Sequence, residues 1–171
     1  SEGQKTCSDC SPGQYSPFSA SDSCLSCPAG SSQSQPGQSF CSDCGIGKFF
    51  GSTGAAECTE CAAGAYGNTT GLTACSPCEP GSAQSQPGQQ NCTACPFGTA
   101  TSLPSQSQCA DCPVGTFSNV TGLLSCISCF VGTSQPLSGT SQCDECTAGE
   151  YQDQTGRTGC KRFDGSPCQA S

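Results

Sequence analysis

The 171-residue chain carries 20 Cys but no His, Met or Trp, and its 13 acidic and five basic residues give a formal charge of −8. With apolar residues at 33% and aromatics at 6%, the composition argues against one contiguous hydrophobic core and for stapling by disulfides or metal. The acidic balance argues against nucleic acid as a partner, and no apolar run reaches the ~20 residues that would insert this segment into a membrane.

Residues 1–9 are an N-terminal segment. The chain begins at Ser1 rather than Met and shows no signal-peptide pattern, so a processed chain or part of a longer one is expected. From Cys7 to Cys160 the cysteines follow C-x2-C-x13 without insertion or deletion, a period of 17 residues. Periodicity of that kind defines a repeat architecture. Nine blocks fill residues 10–160, opening in chain order at Cys10, Cys27, Cys44, Cys61, Cys78, Cys95, Cys112, Cys129 and Cys146. They close at Cys24, Cys41, Cys58, Cys75, Cys92, Cys109, Cys126, Cys143 and Cys160. Residues 161–171, with Cys168, form a tail or the start of a divergent module.

Counting each opening cysteine as position 1, position 4 is Gly in all nine blocks, from Gly13 to Gly149. A fixed Gly points to a positive φ or to backbone packed too closely for a Cβ. Position 6 is aromatic in five blocks, as Tyr15, Phe49, Tyr66, Phe117 and Tyr151, and position 11 is Gly in all but two, Ala20 and Ser105. Each block reads as a turn, a short strand, a second turn and a returning strand, with an aromatic, where present, over the closing bridge. The other positions are expected to face water. A weaker three-block period shows in SSQSQPGQ (31–38) against SAQSQPGQ (82–89), and in YGNTTGL (66–72) against FSNVTGL (117–123).

The C-x2-C-x13-C-x2-C spacing also suits zinc. Three N-x-[ST] sequons, at Asn68, Asn91 and Asn119, point instead to the secretory pathway, where cysteines oxidise. Two disulfide connectivities fit. Each block can close on itself, leaving Cys7 and Cys168 over, or neighbouring pairs can interlock as Cys7–Cys24 with Cys10–Cys27. Interlocking repeats every two blocks whereas the side chains repeat every one or three, which favours the first. Cys7 and Cys168 would then be free to join further segments or subunits.

The Cys-x-x-Gly-x-Tyr motif with a Cys at position 15 resembles the first half-module of tumour necrosis factor receptor cysteine-rich domains. The tandem C-x2-C-x2-G-x-[YF] pattern is similar to the ephrin-receptor-like repeats of large extracellular proteins. The resemblance covers Cys7 to Cys160 and implies an extracellular or cell-surface location; for the receptor half-module it implies a small hairpin closed by one bridge. It carries no ligand-binding residues to this chain.

Among candidate sites, Asn68 and Asn119 share position 8 at the hairpin tip, where an N-glycan would be exposed. Asn91 is the weaker acceptor because its middle residue, Cys92, must also be bridged. The Ser- and Thr-rich surface suits O-glycans. Acidic residues recur before the opening cysteines, at Asp9, Asp43, Glu60, Asp111 and Glu145, and one carboxylate per block reads as a solvated edge rather than a calcium site. No cofactor, metal or catalytic residue is expected, since there is no His and no nucleophile beside a base. Phe49-Phe50 and Phe130-Val131 are the densest apolar spots. The expectation is a small disulfide-rich fold, mostly irregular with short β-hairpins. It forms an elongated rod of nine repeats in which each block touches only its neighbours. Its expected role is that of a structural extracellular glycoprotein, a stalk or filament segment that spaces and displays glycans and self-associates into a fibre. The alternative is the ligand-binding ectodomain of a receptor or adhesin.

Overall fold

The computed structural model describes residues 9–18 and 23–163. Cys7, Cys168, Ala20 and the tail beyond Phe163 lie outside the described residues. The chain divides into two compact units: Ser1–Cys78 with Gln84–Cys92, and Glu79–Ala83 with Thr93–Ser171.

Every block is a miniature antiparallel hairpin. Gln14–Tyr15 pairs with Leu25–Ser26 in the first, and Glu150–Tyr151 with Lys161–Arg162 in the ninth. In each, position 5 faces position 17 and position 6 faces position 16, as with Thr116 opposite Ser128 and Phe117 opposite Ile127. Strands of two residues cannot stand alone in water. Covalent bridges hold them: nine disulfides join the ends of the nine blocks, from Cys10–Cys24 to Cys146–Cys160, each at a sequence separation of 14. Closing a loop of about 15 residues is worth roughly 3 kcal/mol on the chain-entropy account.

A tight turn opens each block. The position-5 N–H donates to the position-2 carbonyl, as in Thr116 to Pro113 at 3.0 Å, and position 4 has a positive φ, +78° at Gly115. That combination is a type II turn, which requires Gly at its third residue. Where position 5 is Ser or Thr, its hydroxyl donates to the same position-2 carbonyl, as from Thr99 to Pro96 at 2.9 Å.

The rest of the backbone is satisfied by the next block, because irregular chain must still pair its N–H and C=O groups. Within each unit three bonds recur. The position-4 N–H donates to the position-7 carbonyl of the following block, as Gly47 to Gly67 and Gly98 to Ser118, at 2.8 and 2.9 Å. The position-11 N–H donates back to the preceding block's opening cysteine, as Gly71 to Cys44 and Gly139 to Cys112, both at 2.8 Å. The position-7 N–H donates to position 12 of the following block, as Phe50 to Leu72 at 3.1 Å and Ser118 to Thr140 at 3.1 Å.

Contacts also skip a block, which corrects the expectation of nearest-neighbour packing. A Cβ built on Gly30 would sit 2.2 Å from the carbonyl oxygen of Gly71, and one on Gly47 would sit 1.9 Å from that of Gly88. In the second unit Gly98 meets Gly139 at 2.1 Å and Gly115 meets Gly156 at 2.3 Å in the same way. The position-4 Gly is therefore demanded twice, by its left-handed φ and by backbone two blocks on. Gly132 and Gly149, at the end of the array, have nothing within 4 Å of that point.

What is buried follows from this lattice. The opening cysteines Cys27, Cys44, Cys61, Cys78, Cys95, Cys112 and Cys129 are fully buried, and Ala55, Ala83, Ala100 and Phe117 are buried as well. Among the described residues Phe117 is the only large apolar side chain in the buried set, while Phe18, Leu103 and Leu137 are mostly exposed. Sulfur and close-packed backbone occupy the place of a hydrophobic core.

Position 11 supplies a stability test. Ser105 stands where seven other blocks have Gly and, among the described residues, is the one non-Gly with positive φ, +59°. A non-Gly residue held there costs about 1–2 kcal/mol, partly offset by the greater unfolded-chain entropy of Gly. Ser105→Gly is expected to stabilise the protein by roughly 0.5–1 kcal/mol and to raise Tm by about 2 °C. Differential scanning calorimetry checks this, and an unchanged or lower Tm would refute it.

Candidate functional surface

The two position-8 asparagines stand on equivalent, locked backbone. Next to Asn68, Gly67 accepts from Gly47 N–H at 2.8 Å and donates to Gln89 at 3.0 Å. Next to Asn119, Ser118 accepts from Gly98 at 2.9 Å and donates to Thr140 at 3.1 Å. Ser118 is fully buried and its hydroxyl donates to the Val120 carbonyl at 3.0 Å, fixing the loop that carries the acceptor. Asn68 and Asn119 themselves are exposed. Asn91 is exposed too, but its carbonyl accepts a hydrogen bond from the Gln84 side chain at 2.8 Å and its neighbour Cys92 is bridged to Cys78.

That glutamine belongs to a device that sequence reasoning missed. At position 7 of four blocks a Gln spans the inside of its own loop. Gln135 donates from Nε2 to the Gln142 carbonyl at 2.9 Å and accepts at Oε1 from the Leu137 N–H at 2.9 Å. Gln33, Gln84 and Gln152 make the same pair of bonds. Gln135 and Gln152 are buried, so not every position outside the cysteines, glycines and aromatics faces water. The matched SSQSQPGQ and SAQSQPGQ strings held the signal, because both carry this Gln.

Two serines at position 6 act across blocks. Ser32 Oγ lies 3.2 Å from Cys58 Sγ, and Ser134 Oγ 3.4 Å from Cys160 Sγ. Both sulfurs are bridged, so serine is the donor, and the bridge it covers belongs to the following block. Tyr15, Phe49 and Tyr66 at this position are half-buried and Phe117 is buried.

The recurring carboxylates are exposed, and Asp43, Glu60 and Asp111 lie beside backbone two blocks on. A Cβ on Gly71 would be 3.6 Å from the Asp43 carboxyl carbon, and one on Gly88 would be 3.3 Å from that of Glu60. Glu60 pairs with Lys48 across its hairpin at 3.7 Å. Among the described residues no cluster of three or more His, Cys, Asp or Glu could hold a metal ion. Two carboxyls in the last block titrate below their ordinary range: Glu150 through hydrogen bonds from Thr147 and then Arg162, and Asp153 through a hydrogen bond from Lys161. Such a shift favours the folded state above the ordinary carboxylate range, and the benefit is lost as pH falls through the lowered pKa. Both groups are solvent-exposed, so screening keeps it small.

A groove of about 240 Å³ in the first unit is lined by Tyr15, Pro28, Phe40, Asp43 and neighbouring backbone. A more polar one of about 350 Å³ lies between Ser32, Asp43, Lys48 and Glu57. The apolar spots separate: Phe49 and Phe50 are half-buried in the lattice, while Phe130 and Val131 are exposed. Among the described residues no helix is long and apolar enough to cross a membrane.

The family model described as tyrosine-protein kinase ephrin type A/B receptor-like matches residues 1–44, 64–106 and 102–141 of this chain. No curated protein matches it.

Proposed function

Because this chain belongs to the ephrin type A/B receptor-like family of cysteine-rich repeats, an extracellular type of domain, we propose that it is a structural, non-enzymatic extracellular glycoprotein. It serves as a stalk or filament segment that holds glycans at fixed spacing on a cell surface. The observation that carries this reading is the equivalence of Asn68 and Asn119. Both are exposed, and both follow a position-7 residue pinned by the same pair of interblock bonds. A sugar at either would project from backbone that cannot reorient. Disulfides limit extension, and repetition sets length. Glycopeptide mass spectrometry of the secreted chain is expected to find N-glycans at Asn68 and Asn119 and lower occupancy at Asn91. Unmodified Asn68 and Asn119 in secreted material would refute the display role.

The groove at Tyr15, Phe40 and Asp43 favours a second reading, a ligand-binding ectodomain, since aromatic walls beside a carboxylate suit a small polar or cationic ligand group. A saturable partner whose binding is lost on Phe40→Ala would support it over the spacer.

A further inference from the structure

Three consecutive blocks of the second unit depart from the rest in one respect. Position 3 is Phe97, Val114 and Val131, and position 9 is Leu103, Val120 and Leu137. All six side chains are between 48% and 66% exposed. The flanking blocks have Pro80 and Ala148 at position 3, and Gln86 and Gln154 at position 9. The interblock bonds bring the two positions together. The Gly98 to Ser118 bond joins the backbone one residue after Phe97 to that two residues before Val120, and Gly115 to Gln135 does the same for Val114 and Leu137. The result is an apolar ladder that spans three consecutive blocks, and exposed apolar surface of that kind marks an interaction site.

Charge identifies the occupant. Between residues 80 and 143 the single charged side chain is Asp111, whereas the remainder of the chain carries 12 acidic and five basic residues, a net −7. A basic partner would find little to recognise on this stretch. It is the longest part of the chain with so little charge and it also carries the exposed apolar ladder, so two copies can approach here with little like-charge cost while burying apolar surface. We infer that the ladder of blocks six to eight is a lateral self-association surface that pairs one copy of this chain with a second through the same face, as a two-fold contact requires. This holds whether the chain is a spacer or a receptor.

Sedimentation equilibrium on the oxidised, full-length glycoprotein tests it. The expected result is a monomer–dimer equilibrium that strengthens as salt screens the net −8 charge. The variant with Phe97→Ser, Leu103→Gln, Val114→Ser, Val120→Thr, Val131→Ser and Leu137→Gln keeps the Asn119 sequon. It is expected to dimerise roughly 100-fold more weakly, or worse, with all nine disulfides still formed by mass spectrometry. Val114→Glu, a single exposed change, is a second variant expected to weaken pairing through like charges across the two-fold. A wild-type chain that stays monomeric at millimolar concentration overturns the inference. So does a dimer indifferent to both variants, or association that appears only after removal of the Asn119 glycan.

Discussion

Replacing Cys61 and Cys75 together by alanine is expected to destabilise the protein by about 3 kcal/mol or more, and to do so beyond the fourth block. The bridge closes that block alone, and a loop of this length contributes roughly 3 kcal/mol. Cys61 is fully buried and its carbonyl accepts from Gly88 N–H at 2.8 Å, while its own N–H donates to Gly47 at 2.8 Å. Loosening it therefore releases backbone in the blocks before and after. Two-residue strands offer nothing to compensate. Amide hydrogen exchange should speed at Gly47 and Gly88, which donate to Gly67 and Cys61, and not only within residues 61–75. A variant in which exchange changes inside that loop alone would show that the blocks are independent.

The second large effect is steric. Gly47→Ala places a methyl group 1.9 Å from the Gly88 carbonyl oxygen at a φ of +77°, so backbone must move two blocks away. Gly149→Ala meets nothing within 4 Å and carries only the strain of its φ of +86°, about 1–2 kcal/mol. The expectation is that Gly149→Ala is secreted with a modestly lower Tm. Gly47→Ala should lose upwards of about 4 kcal/mol and fail to complete its disulfides. Equal loss at the two positions would mean that φ alone demands the glycine, and that the contact between alternate blocks contributes nothing.

These two substitutions mark where the sequence was legible and where it was not. A Gly at position 4 of every block announced a positive φ or backbone too close for a Cβ, and the hairpin followed from the cysteine and glycine spacing, because the spacing constrains a single block. What a single block cannot reveal is who satisfies its backbone. The bonds from Gly47 to Gly67 and from Gly71 to Cys44 use main-chain atoms that any residue supplies, so they leave no compositional trace. The Gly47–Gly88 approach was legible in part: the fixed position-4 Gly pointed to backbone too close for a Cβ, but nothing in the sequence says that the wall is a position-11 carbonyl two blocks on. Gln135 illustrates a third case. Its polarity suggested a solvated position, yet two hydrogen bonds inside its loop remove the penalty for burying it. At the surface, Asn68 and Asn119 were readable because a sequon is local. The ladder of Phe97, Val114 and Val131 was not, because three residues 17 apart look scattered until the repeat places them at one position.

The account rests on bridged sulfur standing in for a hydrophobic interior, and hydrogen exchange on the oxidised chain and on its fully reduced, alkylated form tests that most directly. The oxidised protein should protect the position-4 and position-11 amides, such as Gly47, Gly71, Gly98 and Gly139, which donate at 2.8–2.9 Å. The reduced chain should exchange every one of them at the rate of an unstructured peptide. Protection that survives reduction would contradict the account, because some other interior would then be holding the repeats together.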